Sequence, residues 1–247
     1  LTTRRQRQMC IRDSFICTQD LKDEEYVNNH YVIMATKMGQ VKKTSLEQYS
    51  RPRSNGINAI TVKDGDELLE AKLTNGNSQI MLAVKSGKAI RFEEGKTRPM
   101  GRNASGVRGI RLKDKKDEVV GMISVNDMDA NILVVSENGY GKRSSLEDYR
   151  LTNRGGKGVK TISITEKTGK LVTLKSVSDS DDLMIINKSG IAIRMQVEDL
   201  RVMGRATQGV KVISIKDGDS IAAVAKVMKD EDDIEDINDI EFTGDAV

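Results

Sequence analysis

One pattern recurs four times along this chain, over residues 32–73, 80–125, 132–177 and 183–227. Each copy opens on an apolar run (VIMA, IMLAV, ILVV, LMII) followed by a few polar residues and a glycine: Gly39, Gly87, Gly139 and Gly190. Successive glycines lie 48, 52 and 51 residues apart, and a second set (Gly56, Gly106, Gly158, Gly209) is spaced 50, 52 and 51. A period near fifty cannot be accidental in a chain of 247 residues, and a repeated unit of this size must stack on its neighbours to bury its apolar face.

Within the unit the apolar residues alternate, β-branched residues are common, and Ser86-Gly87, Asn138-Gly139, Ser189-Gly190 and Asp217-Gly218 supply hairpin turns. After the second glycine, apolar residues fall at offsets one, four and six (Val159, Ile162 and Ile164 in the third copy), and a charged turn leads to a further apolar strand. About four short strands per unit predict an all-β, propeller-like pinwheel of four-stranded antiparallel blades, near 31–75, 76–127, 130–179 and 181–228. Short helical turns are expected at 45–49 and 145–149, where S-x-x-Q and S-x-x-D resemble capping boxes. Sustained 3.6-residue periodicity is absent, which disfavours a helical solenoid.

Residues 1–14 fit no part of the pattern and read as a non-native leader resembling adapter read-through, to be set aside before the fold is argued. Residues 229–247 carry one Lys and nine acids, while residues 1–228 carry 39 basic and 28 acidic groups, so a basic body is followed by an acidic, disorder-prone tail. Such a body suits a polyanion partner, and the tethered tail could compete for it. No apolar run is long enough to span a membrane and no signal peptide is evident, so a cytoplasmic location is expected.

Catalytic and metal chemistry find little support. The chain has one histidine, His30, and two cysteines, Cys10 and Cys17, too few for a zinc site or a Ser/His/Asp or Cys/His arrangement. Scattered carboxylates suggest no acid–base pair. The tyrosines lie inside the repeat pattern and read as packing or turn residues. Aromatics make up 3% of the sequence, too few for base-stacking recognition of single strands.

Cations recur instead. Four residues after the first glycine come Lys43, Arg91, Arg143 and Arg194; just before the second glycine come Arg53, Arg102, Arg154 and Arg205; two residues after it come Asn58, Arg108, Lys160 and Lys211. Equivalent cations on successive blades would form a belt able to follow a bent phosphate backbone without reading bases. In the third copy Arg154-Gly155-Gly156-Lys157-Gly158 combines charge with glycines that can turn backbone amides outward toward a phosphate. It is not a Walker loop, lacking the G-x-x-x-x-G-K-[S/T] order.

These repeats, with G-x-x-x-R, the R-G-G-K-G loop and the following G-V-K strand, resemble the C-terminal β-pinwheel family of the DNA gyrase A subunit. The resemblance implies a six-bladed disc with a basic rim that wraps double-stranded DNA, here about four blades of an expected six. It implies a non-catalytic part of an A₂B₂ assembly with the gyrase A N-terminal region and gyrase B, supporting ATP-dependent negative supercoiling. ATP and Mg²⁺ would act elsewhere in that holoenzyme, leaving this chain without a cofactor and without the catalytic tyrosine. The family's box reads Q-R-R-G-G-K-G; here Thr152 and Asn153 replace its first two residues, and the loop sits in the third copy, so the chain reads as the last four blades. Two rivals are a propeller serving as a protein-interaction platform and the related C-terminal domain of the topoisomerase IV A subunit. The intact R-G-G-K-G core favours gyrase, and the aligned cations count against the platform.

Overall fold

The computed structural model describes residues 16, 18, 21–51, 53–216 and 218–227. The leader and the acidic tail read from the sequence therefore lie outside the described residues. A short helix, α1 (Glu24–Asn29), capped by the Asp23 carboxylate accepting from the amides of Glu25 and Tyr26, precedes the repeats.

Each copy then contributes an antiparallel hairpin and a third long strand. These are β1 (Tyr31–Thr36), β2 (Gln40–Ser45) and β3 (Leu68–Thr74) in the first copy, and β4 (Gln79–Val84), β5 (Lys88–Glu93) and β7 (Val119–Val125) in the second. The third has β8 (Asn131–Ser136), β9 (Tyr140–Ser145) and β11 (Leu171–Val177), and the fourth β12 (Asp182–Asn187), β13 (Ala192–Gln196) and β15 (Ile221–Val227). Gly39, Gly87, Gly139 and Gly190 close the hairpins with φ between 79° and 89°, the left-handed region that glycine enters without a Cβ penalty.

The stretch after the second glycine departs from the sequence expectation. Only two residues of it form strand, β6 (Val107–Arg108), β10 (Val159–Lys160) and β14 (Val210–Lys211), and each pairs with the preceding copy's sheet. Val107 sits opposite Val41, Val159 opposite Ala89, and Val210 opposite Gly141. Three sheets thus reach four strands by accepting one from the next copy, and the fourth, of order β13-β12-β15, has three. The sequence pattern locates these residues but does not say which sheet receives them. The expected helical turns at 45–49 and 145–149 are 3₁₀ turns; the Ser145 hydroxyl accepts from the Glu147 amide, while Ser45 makes no side-chain cap.

The cores lie between sheets. Along β8, Ile132 and Val134 face the second copy's sheet, and Leu133 and Val135 face the fourth copy's. Along β4, Ile80, Leu82 and Val84 pack toward the first copy, and Met81 and Ala83 toward the third. Strands covered on both faces need apolar residues at every position, which explains why the opening runs of the first three copies are continuous rather than alternating; in β12 the second face is more open, with Ile186 exposed. The long strands β3, β7, β11 and β15 contact one another in order and line a cavity of about 570 Å³.

Candidate nucleic-acid interface

The cation four residues after the first glycine does not face outward in the first three copies. Lys43, Arg91 and Arg143 are buried, and each reaches across the joint to the next copy. Lys43 Nζ pairs with Glu94 Oε1 at 2.9 Å and lies 4.0 Å from the Tyr31 ring centroid. Arg91 donates from Nε to Gln79 Oε1 (2.6 Å) and from Nη1 to the carbonyls of Leu146 (2.8 Å) and Tyr149 (3.0 Å). Arg143 donates from Nε to the Leu200 carbonyl and from Nη2 to that of Glu198 (3.4 Å), and pairs with Asp179. Arg194 is exposed and pairs with Asp182 at 2.7 Å. The belt expectation is corrected at 43, 91 and 143: the first three copies need a cation there because the turn after the second strand of the next copy presents acceptors to it.

The cations around the second glycine are nearer to solvent. Arg102, Arg154 and Arg205 are half-buried. Arg154 donates to the carbonyls of Lys96 (2.9 Å) and Arg108 (3.1 Å), and Arg205 to that of Lys160 (3.0 Å), bracing each loop against the strand donated at the joint before it. Arg53, Arg108, Lys157, Lys160 and Lys211 are exposed. Arg108, Lys160 and Lys211 all occupy the second residue of a donated strand and so recur at one structural position.

The glycine loop of the third copy is held by its backbone. The Gly155 amide donates to the Gly109 carbonyl at 2.6 Å, so it is directed into the joint and not outward as the sequence suggested. Gly158 has φ 70°, and a Cβ there would meet the Ala89 carbonyl oxygen at 2.6 Å. Gly156, Lys157 and Gly158 border a cleft of about 160 Å³ that is also lined by Arg91, Arg150, Thr152 and Asn153. Arg150 and Lys157 thus bring two exposed cations to one concavity, a geometry suited to an anionic oxygen cluster.

Arg150 belongs to a set that the sequence reading passed over. Arg51, Arg98, Arg150 and Arg201 follow the first glycine by 12, 11, 11 and 11 residues, and all four are exposed. The signal was the same fourfold recurrence that marked the other cations, displaced a few residues along the unit.

Beneath two of the loops lie fully buried lysines. Lys42 Nζ donates to the carbonyls of Ala59 (2.5 Å) and Arg102, and Lys142 Nζ to the Gly204 carbonyl (2.7 Å) and Thr207 Oγ1 (3.1 Å). In the second copy Ile90 takes this place and lies under Gly156. Burial, with a smaller effect of Arg102, lowers Lys42 to about 8. Burial likewise lowers Lys142 to about 8, with Asp148 opposing and Arg205 and Lys160 assisting. A lysine that folds with a depressed pKa binds fewer protons than the unfolded chain between about 8 and its ordinary 10.5. Its contribution to stability therefore increases across that window and has been lost once pH falls to about 8. Replacing Lys42 and Lys142 together by Met is expected to reduce the positive slope of unfolding free energy between pH 8 and 10, read by urea titration at each pH; an unaltered slope would show that neither ammonium is desolvated.

Tyr149 is buried, with its hydroxyl 2.5 Å from Thr161 Oγ1, and burial raises its pKa, the opposite of what a phenolate nucleophile needs. Among the described residues no helix is long and apolar enough to cross a membrane.

Comparison with known proteins accords with this architecture. The family described as "DNA gyrase C-terminal domain, beta-propeller" matches residues 30–75, 79–126, 130–178 and 181–228. A DNA gyrase A subunit from Staphylococcus epidermidis is 43% identical over 220 residues, covering 89% of this chain and 24% of the relative. One from Staphylococcus aureus is 43% identical over 225 residues, covering 90% and 25%. The chain therefore spans about a quarter of the length of these relatives. Among solved structures, a topoisomerase IV C-terminal domain superposes with a TM-score of 0.76 at 26% identity, over 81% of this chain and 62% of that one. A DNA gyrase A C-terminal domain gives 0.73 at 26%, over 81% and 67%.

Proposed function

Since the chain belongs to the family of DNA gyrase C-terminal domains of the β-propeller type, we propose that it is a non-catalytic module that binds and bends duplex DNA along its cationic loops. In the parent protein it would present the bent duplex to the strand-passing machinery formed by the gyrase A N-terminal region and gyrase B, with no turnover of its own. The observation that carries this reading is the exposed cation set recurring at two places in the unit, Arg51/Arg98/Arg150/Arg201 and Arg108/Lys160/Lys211. Cations repeated in structural register neutralise phosphates at regular intervals and release counterions, giving sequence-tolerant affinity that falls steeply with salt. Bending then depends on the deformability of the duplex rather than on base contacts.

The test is DNA affinity of the 247-residue chain across salt, beside a variant with Arg108, Arg150, Lys157 and Lys160 changed to Ala. The variant should bind more weakly, and its log–log salt slope should fall by about 0.9 for each phosphate no longer neutralised. Equal slopes would overturn the assignment of these residues. Absence of salt-dependent binding by the parent chain would overturn the DNA reading itself and favour a protein-interaction platform.

A further inference from the structure

Among the described residues, exposed large apolar side chains gather on the fourth copy's hairpin, where Ile186, Ile191 and Ile193 lie on a sheet of three strands, and recur at one further position of the repeat. Leu151 (45% exposed) and Val202 (54% exposed) occupy the same place in successive copies, 51 residues apart, and the second copy carries an exposed proline there, Pro99. A single exposed apolar residue is ordinary; a recurring one is not.

Each of these residues is held by its backbone. Pro99, Leu151 and Val202 form parallel bridges with Lys43, Arg91 and Arg143, the buried cations that lock successive copies together. The amides that follow, of Met100, Thr152 and Met203, donate to the carbonyls of the same three residues at 2.8, 2.9 and 2.8 Å. The side chains therefore project from a fixed main chain rather than from a mobile loop. Immediately before each comes an exposed arginine, Arg98, Arg150 or Arg201.

A rigid apolar tip beside an arginine is poorly suited to phosphates alone, because dehydrating a leucine against charged oxygens gains nothing. It is well suited to the space between the two phosphate rows. Arginine is drawn to the negative potential of a narrowed minor groove, and leucine, proline and similar side chains press against sugar edges or part-open a base step there, bending the duplex toward the major groove. A protein partner fits less well, since an exposed arginine immediately precedes each tip and the chain is poor in aromatic anchors.

We propose that Pro99, Leu151 and Val202 are minor-groove wedges, one in each of the last three copies, that set the curvature of the DNA while the neighbouring cations supply affinity. The inference rests on the DNA-binding reading above. Its test is the double variant Leu151→Ser/Val202→Ser in the 247-residue chain; both side chains are exposed, so the melting temperature should be unchanged. Three readouts are compared with the parent: affinity across salt, bend angle by energy transfer between the ends of a short duplex, and permanganate reactivity of unstacked thymines. The variant should bind within about tenfold of the parent, or roughly 1.4 kcal/mol, with the salt slope retained because every phosphate-facing cation is still present. The bend should decrease and the permanganate-reactive thymines should disappear, and the conservative pair Leu151→Met/Val202→Ile should restore both. An equal bend and reactivity pattern in parent and variant would overturn the wedge while leaving DNA binding intact. A fall in salt slope in the serine variant would also overturn it, because the tips would then act by placing cations. A parent that binds no duplex would remove both readings.

Discussion

Replacing Arg91 by alanine is expected to destabilise the protein by about 3–5 kcal/mol, because it orphans three neutral acceptors at once. The guanidinium is 7% exposed, and its loss leaves Gln79 Oε1 and the carbonyls of Leu146 and Tyr149 without their donor inside a packed joint. Each unsatisfied acceptor costs about 1–3 kcal/mol, and the emptied volume adds to that. Lysine should not restore stability, because an ammonium cannot reproduce a fork that serves three acceptors in different directions. The first copy uses Lys43 where its acceptor is a single carboxylate, Glu94. Urea unfolding provides the measurement. Because Arg91 ties the second copy to the third, the variant should also lose cooperativity and show two transitions where the parent shows one. A single transition displaced by less than about 1 kcal/mol would mean that this network does not hold the joint.

The second large effect is expected at Gly158. Alanine there would take φ 70° and place its Cβ 2.6 Å from the Ala89 carbonyl oxygen and 2.9 Å from the carbonyl carbon, both backbone atoms of β5 that cannot move aside. A left-handed non-glycine residue costs about 1–2 kcal/mol, and overpacking against a fixed neighbour adds about 1–3 kcal/mol. Gly56, its counterpart in the first copy, is the internal control. Its φ is 75°, but a Cβ there meets nothing within 4 Å, so Gly56→Ala should cost only the conformational part. The difference between the two variants in a thermal or urea melt isolates the close approach of β10 to β5. Equal losses would show that the approach is relieved by a small movement of the loop.

Gly158 also marks how far the sequence could be read. The period, the strand content, the hairpin glycines and the general site of the loops are all local patterns, and they are visible in one dimension. Pairing partners are not. Val159 and Lys160 carry nothing that selects β5 of the preceding copy over a strand of their own, because a two-residue strand has no alternation to read. The buried cations were misjudged for a related reason. A lysine or arginine repeated at one position reads the same whether it faces solvent or a ring of carbonyls, and the acceptors of Arg91 lie 55 and 58 residues away. Lys42 and Lys142 are hidden likewise, since polar residues on a strand suggest a wet face, whereas β2 and β9 are covered on both sides. Arg51, Arg98, Arg150 and Arg201 needed only the existing alignment, read a few positions further on.

The donated strands have a consequence for how such a chain can be cut, duplicated or grafted. The sequence repeat begins at β1, β4, β8 or β12, but the smallest complete sheet runs from that strand into the following repeat and ends with its short strand. The heritable unit and the folding unit are thus out of phase. A segment excised at repeat boundaries leaves one sheet short of an edge and carries a strand whose acceptor is gone. Moving the boundary into the turn at 111–117 keeps β6 on β2 but severs β7 from β4, so no single cut leaves every hydrogen-bonded ladder whole. Lengthening the array by recombination therefore keeps the interlock when both crossovers fall at equivalent positions of two repeats, so that each new member accepts one short strand and donates another.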